Sequence, residues 1–239
     1  MKSFVKNYLI VTIFILSTFS IIKAQEISLG TDIVSRYIWR GMDLGANAPS
    51  IQPDVNLSIG GLTVGFWGAY STSNFTALDE VDFYINYSFN LAESGSISLG
   101  VVDYMNPNSG VKLGNLNNYD HADGPGAHYI ELNAAYSGPE SFPLSLSFNY
   151  FLHNVFENPI YLEVGYSTGI GDVGFDLFVG TTPGDKGFYY GVENFSIVNL
   201  GFKASKEIKI TESFNLPISG SVIFDPAAET MFYVLGVSF

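Results

Sequence analysis

The sequence predicts an all-β chain, folded as a transmembrane antiparallel up-and-down β-barrel of about twelve strands with periplasmic termini. Three observations predict it. Polar and apolar residues alternate with period two along most of the chain, the mark of strands whose two faces meet different surroundings. About twelve such segments occur, each near the roughly 9–11 residues a tilted strand needs to cross a bilayer. The last segment ends on an aromatic carboxy-terminus, Phe239.

The amino-terminal segment comes first. Lys2 and Lys6 precede an apolar run over 8–22, and Ile22-Lys23-Ala24 offers a small residue before Gln25. This is the layout of a signal peptide covering residues 1–24, cleaved after Ala24. A retained anchor is the alternative, but the run falls short of the roughly 20 residues a spanning helix needs. Three of the ten basic residues and none of the 23 acidic ones lie in 1–24, so residues 25–239 carry seven bases against 23 acids, a net charge of −16. That balance excludes a nucleic-acid surface, which has to be basic.

The strand segments follow at 27–40, 50–59, 62–71, 80–90, 96–104, 128–136, 144–152, 160–167, 173–181, 193–205, 214–224 and 231–239. The clearest is 80–90, where Val81, Phe83, Ile85, Tyr87 and Phe89 alternate with Glu80, Asp82, Tyr84, Asn86, Ser88 and Asn90. Pro217 has no amide hydrogen for a ladder, so the eleventh strand is expected to start after it or to bulge there. Connections alternate between short ones (60–61, 91–95, 137–142, 168–172, 206–213) and generally longer ones, the longest being the outer loop 105–127. Sorting by parity is what outer-membrane barrels show. Loop 105–127 is expected either to fold inward as a constriction or to extend into solvent.

Aromatic residues supply a second line of argument. Tyr37, Trp39, Tyr70, Tyr150 and Tyr233 are expected to face outward near the outer rim. Tyr87, Phe89, Tyr136, Tyr166, Phe202 and Phe239 fall near the inner rim, giving belts at two lipid headgroup levels. The partners implied are outer-membrane lipid and the barrel-assembly machinery, the latter through a final strand with Met231, Tyr233, Leu235, Val237 and Phe239 on one face.

The segment Ser35-Arg-Tyr-Ile-Trp-Arg-Gly-Met42, followed by Pro49 and Gln52, resembles the start of the TorF-like family of outer-membrane porins. The likeness continues through Gly65-Phe-Trp-Gly68, Glu80-Val-Asp-Phe-Tyr-Ile-Asn-Tyr87, Gly100-Val-Val-Asp-Tyr-Met-Asn-Pro107 and Tyr129-Ile-Glu-Leu132, and more weakly through Tyr161-Leu-Glu163 and Asn199-Leu-Gly201. This resemblance implies an outer-membrane channel and names no solute.

Inward positions are rich in small residues, among them Gly65, Gly100, Gly165, Gly174, Gly180 and Gly201, which favours a narrow water path. Tyr84, Trp67, Tyr129, Phe151, Tyr161 and Phe178 are expected to narrow it locally. The inward charges are mostly acidic: Asp32, Asp54, Asp82, Glu131, Glu163 and Asp176 against Arg36, Arg40 and Lys203. An acidic wall at low dielectric selects cations, so passive diffusion of small hydrophilic solutes with weak cation preference is expected. Arg36 and Arg40 are expected to pair with neighbouring carboxylates and hold strand 1. No cofactor and no metal site are expected. The enzymatic alternative, a protease or lipase at the rim, rests on His128 and His153, whose spacing matches no catalytic or metal motif. A blocked structural or adhesive barrel is a third reading, and only loop 105–127 favours it.

Overall fold

The structure, a computed structural model, describes residues 25–73 and 79–239. The expected signal peptide at 1–24 lies outside the described residues. Twelve strands close into an antiparallel barrel: β1 (Gln25–Val34), β4 (Ser50–Ile59), β5 (Leu62–Ser71), β6 (Glu80–Asn90), β7 (Ser96–Met105), β8 (His128–Ser137), β9 (Leu144–His153), β10 (Ile160–Ile170), β11 (Val173–Thr182), β12 (Ser196–Lys209), β13 (Asn215–Asp225) and β14 (Thr230–Ser238). Each pairs with its neighbours in sequence, and β14 closes onto β1. Between β1 and β4 lies a small separate hairpin, β2 (Ile38–Trp39) and β3 (Met42–Asp43).

Register converts the period-two pattern into two faces. Leu29 pairs with Val55, Val55 with Phe66 and Phe66 with Phe83, all pointing outward. The outward side chains are large, apolar and exposed: Phe66 49%, Leu99 51%, Val164 49% and Leu177 46%. The inward face carries the hydrogen-bonded polar residues. Such polarity is the reverse of a water-soluble barrel, whose apolar side chains are buried. The expected rim aromatics Tyr70, Tyr87, Phe89, Tyr166, Tyr233 and Phe239 are indeed exposed on the outside.

The first expected strand needs correction. It ends at Val34, not at residue 40, because Ser35 leaves the wall after bonding Leu235 through both its amide and its hydroxyl. Tyr37 and Trp39 therefore do not face outward. Tyr37 is buried against Trp67, and Trp39 packs on Tyr104 and Phe151 inside the barrel. Pro217, by contrast, lies within β13, which starts two residues earlier at Asn215. It is tolerated because it pairs with Glu207 of β12 while pairing with β14 begins only at Ile218.

Two bulges re-aim the wall. The β8–β9 register shifts between Ile130 and Glu131, and the β11–β12 register between Gly180 and Thr181. The second leaves Val198 as an extra residue, 1% exposed, in a lumenal cluster with Tyr161 and Tyr190. Both bulges sit where the β2–β3 hairpin lands.

Candidate functional site

The hairpin is built by its turn. Arg40 (φ 50°) and Gly41 (φ 83°) both adopt left-handed backbone between Trp39 and Met42, the pattern of a two-residue type I′ turn. Gly41 is required twice, by its φ and by contact. A Cβ there would sit 2.0 Å from the carbonyl oxygen of Val198 on β12. The sequence Arg-Gly thus makes a tip narrow enough to press against β12, and the hairpin crosses the lumen.

Arg40 fastens that tip. Its Nη1 and Nη2 donate to Oε2 and Oε1 of Glu131 at 2.6 and 2.8 Å, a bidentate pair. The side chains are 11% and 0% exposed. Glu131 also accepts from Tyr104 Oη at 3.0 Å and Asn133 Nδ2 at 2.6 Å, so its carboxylate is fully bonded despite complete burial. The Arg40 guanidinium lies 4.2 Å from the Trp39 ring centroid and 4.6 Å from that of Tyr161, and it donates to Tyr190 Oη at 3.2 Å.

A second loop closes over it. Between β11 and β12, Asp185 accepts backbone N–H groups of Gly187, Tyr189 and Tyr190, which folds the loop and delivers both tyrosines into the barrel. Burial, opposed by the nearby Arg40, pushes the Tyr190 phenol up to about 12, so it remains a neutral hydrogen-bonding group. Tyr189 packs on Trp39 and Phe151.

The expected site residues divide around this tip. Arg40 and Glu131 meet. Arg36 reaches Asp43 at 3.7 Å and stacks over Phe232, which steadies the base of the hairpin. The arginines therefore pin the inserted segment to the wall. Glu163 accepts from Tyr161 Oη and from Asn199 Nδ2, on the same ring of the lumen as Lys203. Asp54 accepts from Asn56 and Tyr84. Asp176 accepts from Ser167 near the short-turn end, and Asp32 is exposed near the end of β1. Asp82 is buried at 7% exposure, with Oδ1 unpartnered among the described residues. Sequence reasoning passed over Asp185, Asn154 and Tyr190, which lie in loops where no period marks a side chain as inward. The one available signal was Arg40-Gly41 between Ile38-Trp39 and Met42.

The tip divides the lumen. Toward the long loops, a cavity of about 640 Å³ is floored by Trp39, Tyr104, Phe151 and Tyr189. Toward the short turns, a smaller one of about 240 Å³ lies among Arg40, Glu163, Asn199 and Lys203. Several inward glycines are already filled. A Cβ at Gly65 would meet the Tyr84 ring, one at Gly180 the Tyr161 ring, and one at Gly201 the Phe178 ring. At these three positions an aromatic ring takes the space that the missing side chain leaves, whereas Gly100, Gly165 and Gly174 meet no ring. Loop 105–127 stands at the long-loop rim, where Asn118 Oδ1 accepts the Asn154 amide and Tyr119 packs on Phe156.

His128, one of the two histidines behind the enzymatic alternative, has both ring nitrogens in contact. Its Nδ1 lies 2.7 Å from Asp103 Oδ2 and its Nε2 2.7 Å from the Leu113 carbonyl. Both nitrogens are engaged in tying loop 105–127 to β7.

A family model described as a bacterial protein of unknown function, Gcw_chp, matches residues 23–214. The chain belongs to the Gcw_chp family. The inserted hairpin, both bulges and the Arg40–Glu131 pair all fall within the part of the chain that the Gcw_chp model covers. No curated protein matches this Gcw_chp chain. Among solved structures, an engineered triple mutant of the Rhodopseudomonas blastica porin is similar at 15% identity, covering 80% of this chain and 55% of that one, with a TM-score of 0.37. A chain described as "Asymmetric conductivity of engineered proteins" is similar at 13% identity over 90% of this chain and 99% of its own, with a TM-score of 0.34. The Gcw_chp chain spans about half the length of the blastica porin it matches.

Proposed function

We propose that this Gcw_chp chain is an outer-membrane, porin-like channel for passive diffusion of small hydrophilic solutes, weakly cation-preferring, with the β2–β3 hairpin as its constriction. The observation that carries the reading is the inverted polarity of the closed barrel. Large apolar side chains are exposed around the outside, while hydrogen-bonded charged and amide groups such as Glu131, Asn133, Glu163 and Asn199 face inward. Only a lipid surround makes that exterior favourable, and a closed barrel satisfies its backbone there without an edge.

Cation preference follows from charges left after pairing. Arg36 and Arg40 are neutralised by Asp43 and Glu131. Asp54 and Glu163 have no ion-pair partner among the described residues, against the lumenal Lys203. The resemblance to TorF-like porins supports the same reading, which includes export by the expected 1–24 signal. We read the chain as a channel and not as an enzyme because His128 is spent on loop anchoring.

Planar-bilayer recording under a salt gradient tests the proposal. Discrete conductance steps with a reversal potential of cationic sign are expected. Their absence from protein that migrates as a heat-modifiable barrel would remove the channel, and an anionic reversal potential would remove the selectivity argument.

A further inference from the structure

We propose that the long-loop cavity is a binding site for a small amphiphilic cation, an aryl or alkyl group bearing a primary ammonium or guanidinium. This deepens the channel reading and rests on it. The cavity's volume of about 640 Å³ falls within the roughly 300–1,000 Å³ typical of small-molecule sites. Its floor is a continuous aromatic surface. Trp39 lies 5.9 Å from Tyr104, 6.4 Å from Phe151 and 6.2 Å from Tyr189, and Tyr104 and Tyr189 each pack on Phe151 as well. Ring faces of this kind attract both apolar groups and cations.

The polar lining is biased toward acceptors. Asp43 and Glu80 line the cavity, while no lysine or arginine does. Asp43 is partly compensated by Arg36 at 3.7 Å, whereas Glu80 is met by the Tyr37 hydroxyl and by no described base. An independent observation points to a donor as the missing partner. Asn154, 3% exposed and lining the cavity, gives Nδ2 to the Gly126 carbonyl and its backbone amide to Asn118 Oδ1. Its Oδ1 is buried without a partner among the described residues. A buried acceptor in that state is costly unless a donor arrives. An ammonium or guanidinium supplies N–H donors and positive charge together, and its apolar part covers the aromatic floor. A carboxylate ligand would bring a like charge against Asp43 and more acceptors against an acceptor-rich lining, and a sugar would bring no charge at all.

The test uses the protein's two tryptophans, Trp39 on the cavity floor and Trp67 beside Tyr37. Emission of the full barrel in detergent micelles is titrated with phenethylammonium, with phenylpropionate as the anion of similar size and with glucose as the neutral polyol. A saturable change with phenethylammonium alone is expected. W39F should abolish the change while leaving Trp67 emission, and E80Q should weaken the affinity at least tenfold in protein that is still heat-modifiable. A response to glucose alone would make this a polyol site and overturn the proposal. Equal responses to all three probes, or an unchanged affinity in E80Q, would overturn it too. The two readings fail separately: conductance without ammonium binding removes the ligand class only, and binding without conductance removes the channel.

Discussion

Removing one partner of the Arg40–Glu131 pair should open the constriction. In R40A, Glu131 remains in the wall at 0% exposure, still held by Tyr104 and Asn133 but short of its two strongest donors. In E131A, the guanidinium is stranded over Trp39 and Tyr161 without a counter-ion. In each variant the orphaned charge regains water only if the hairpin leaves its seat. Breaking a buried pair from one side costs about 3–5 kcal/mol. At about 1.4 kcal/mol per tenfold change in an equilibrium constant, the ratio of seated to unseated hairpin falls roughly 10²- to 10³-fold. The barrel wall is spared, because its ladder runs through β1 and β4–β14 and not through the hairpin. Single-channel recording should therefore show higher conductance with long-lived open levels in both single variants, at unchanged heat modifiability. The apolar pair R40M/E131L, which strands no charge, should return the conductance toward wild type. Wild-type conductance in both single variants would refute the hairpin as the constriction.

Three further predictions follow from separate contacts. Gly41→Ala places a Cβ 2.0 Å from the Val198 carbonyl at φ 83°, so hairpin seating should be lost and conductance should rise as in R40A. D185A removes the acceptor of three backbone N–H groups, worth about 1.5–3 kcal/mol each for bonds to a charged group, and hydrogen exchange should accelerate at residues 187–190 with little change in the strands. On the wall, Val101→Lys puts a charge on an outward residue 41% exposed, and should cost about 2–4 kcal/mol of folding free energy in lipid vesicles, whereas the inward Ser219→Lys should be nearly neutral. Equal costs at both positions in urea titrations would contradict the assignment of faces.

The strands were legible because a barrel in lipid imposes a different solvent on each face, so every second residue reports its side. Segments 50–59, 62–71 and 80–90 match β4, β5 and β6 in full for that reason. The hairpin was hidden by the same rule. Arg36 and Arg40 keep the parity of the inward residues of β1 while Tyr37 and Trp39 keep that of the outward ones, so the segment reads as more of the same strand. What separates a wall strand from an inserted hairpin here is tertiary: the landing site at the Val198 bulge and the acceptor at Glu131 lie 91 or more residues away from Arg40 in sequence. The ionic role of Arg40 was readable in kind, as a base among lumenal acids, while its partner depended on which of six inward carboxylates the hairpin tip would reach. Asp185 acts through backbone groups of its own loop and Asn154 through contacts with loop 105–127, and no pattern of residue types announces that.

The account rests on a lumen that conducts past the seated hairpin, and the reversal potential of the wild-type protein in a planar bilayer under a tenfold potassium chloride gradient tests it most directly. Small, discrete steps with a potential of the sign set by cation flow are predicted. Silence from folded, heat-modifiable protein, or a potential of the opposite sign, would contradict it.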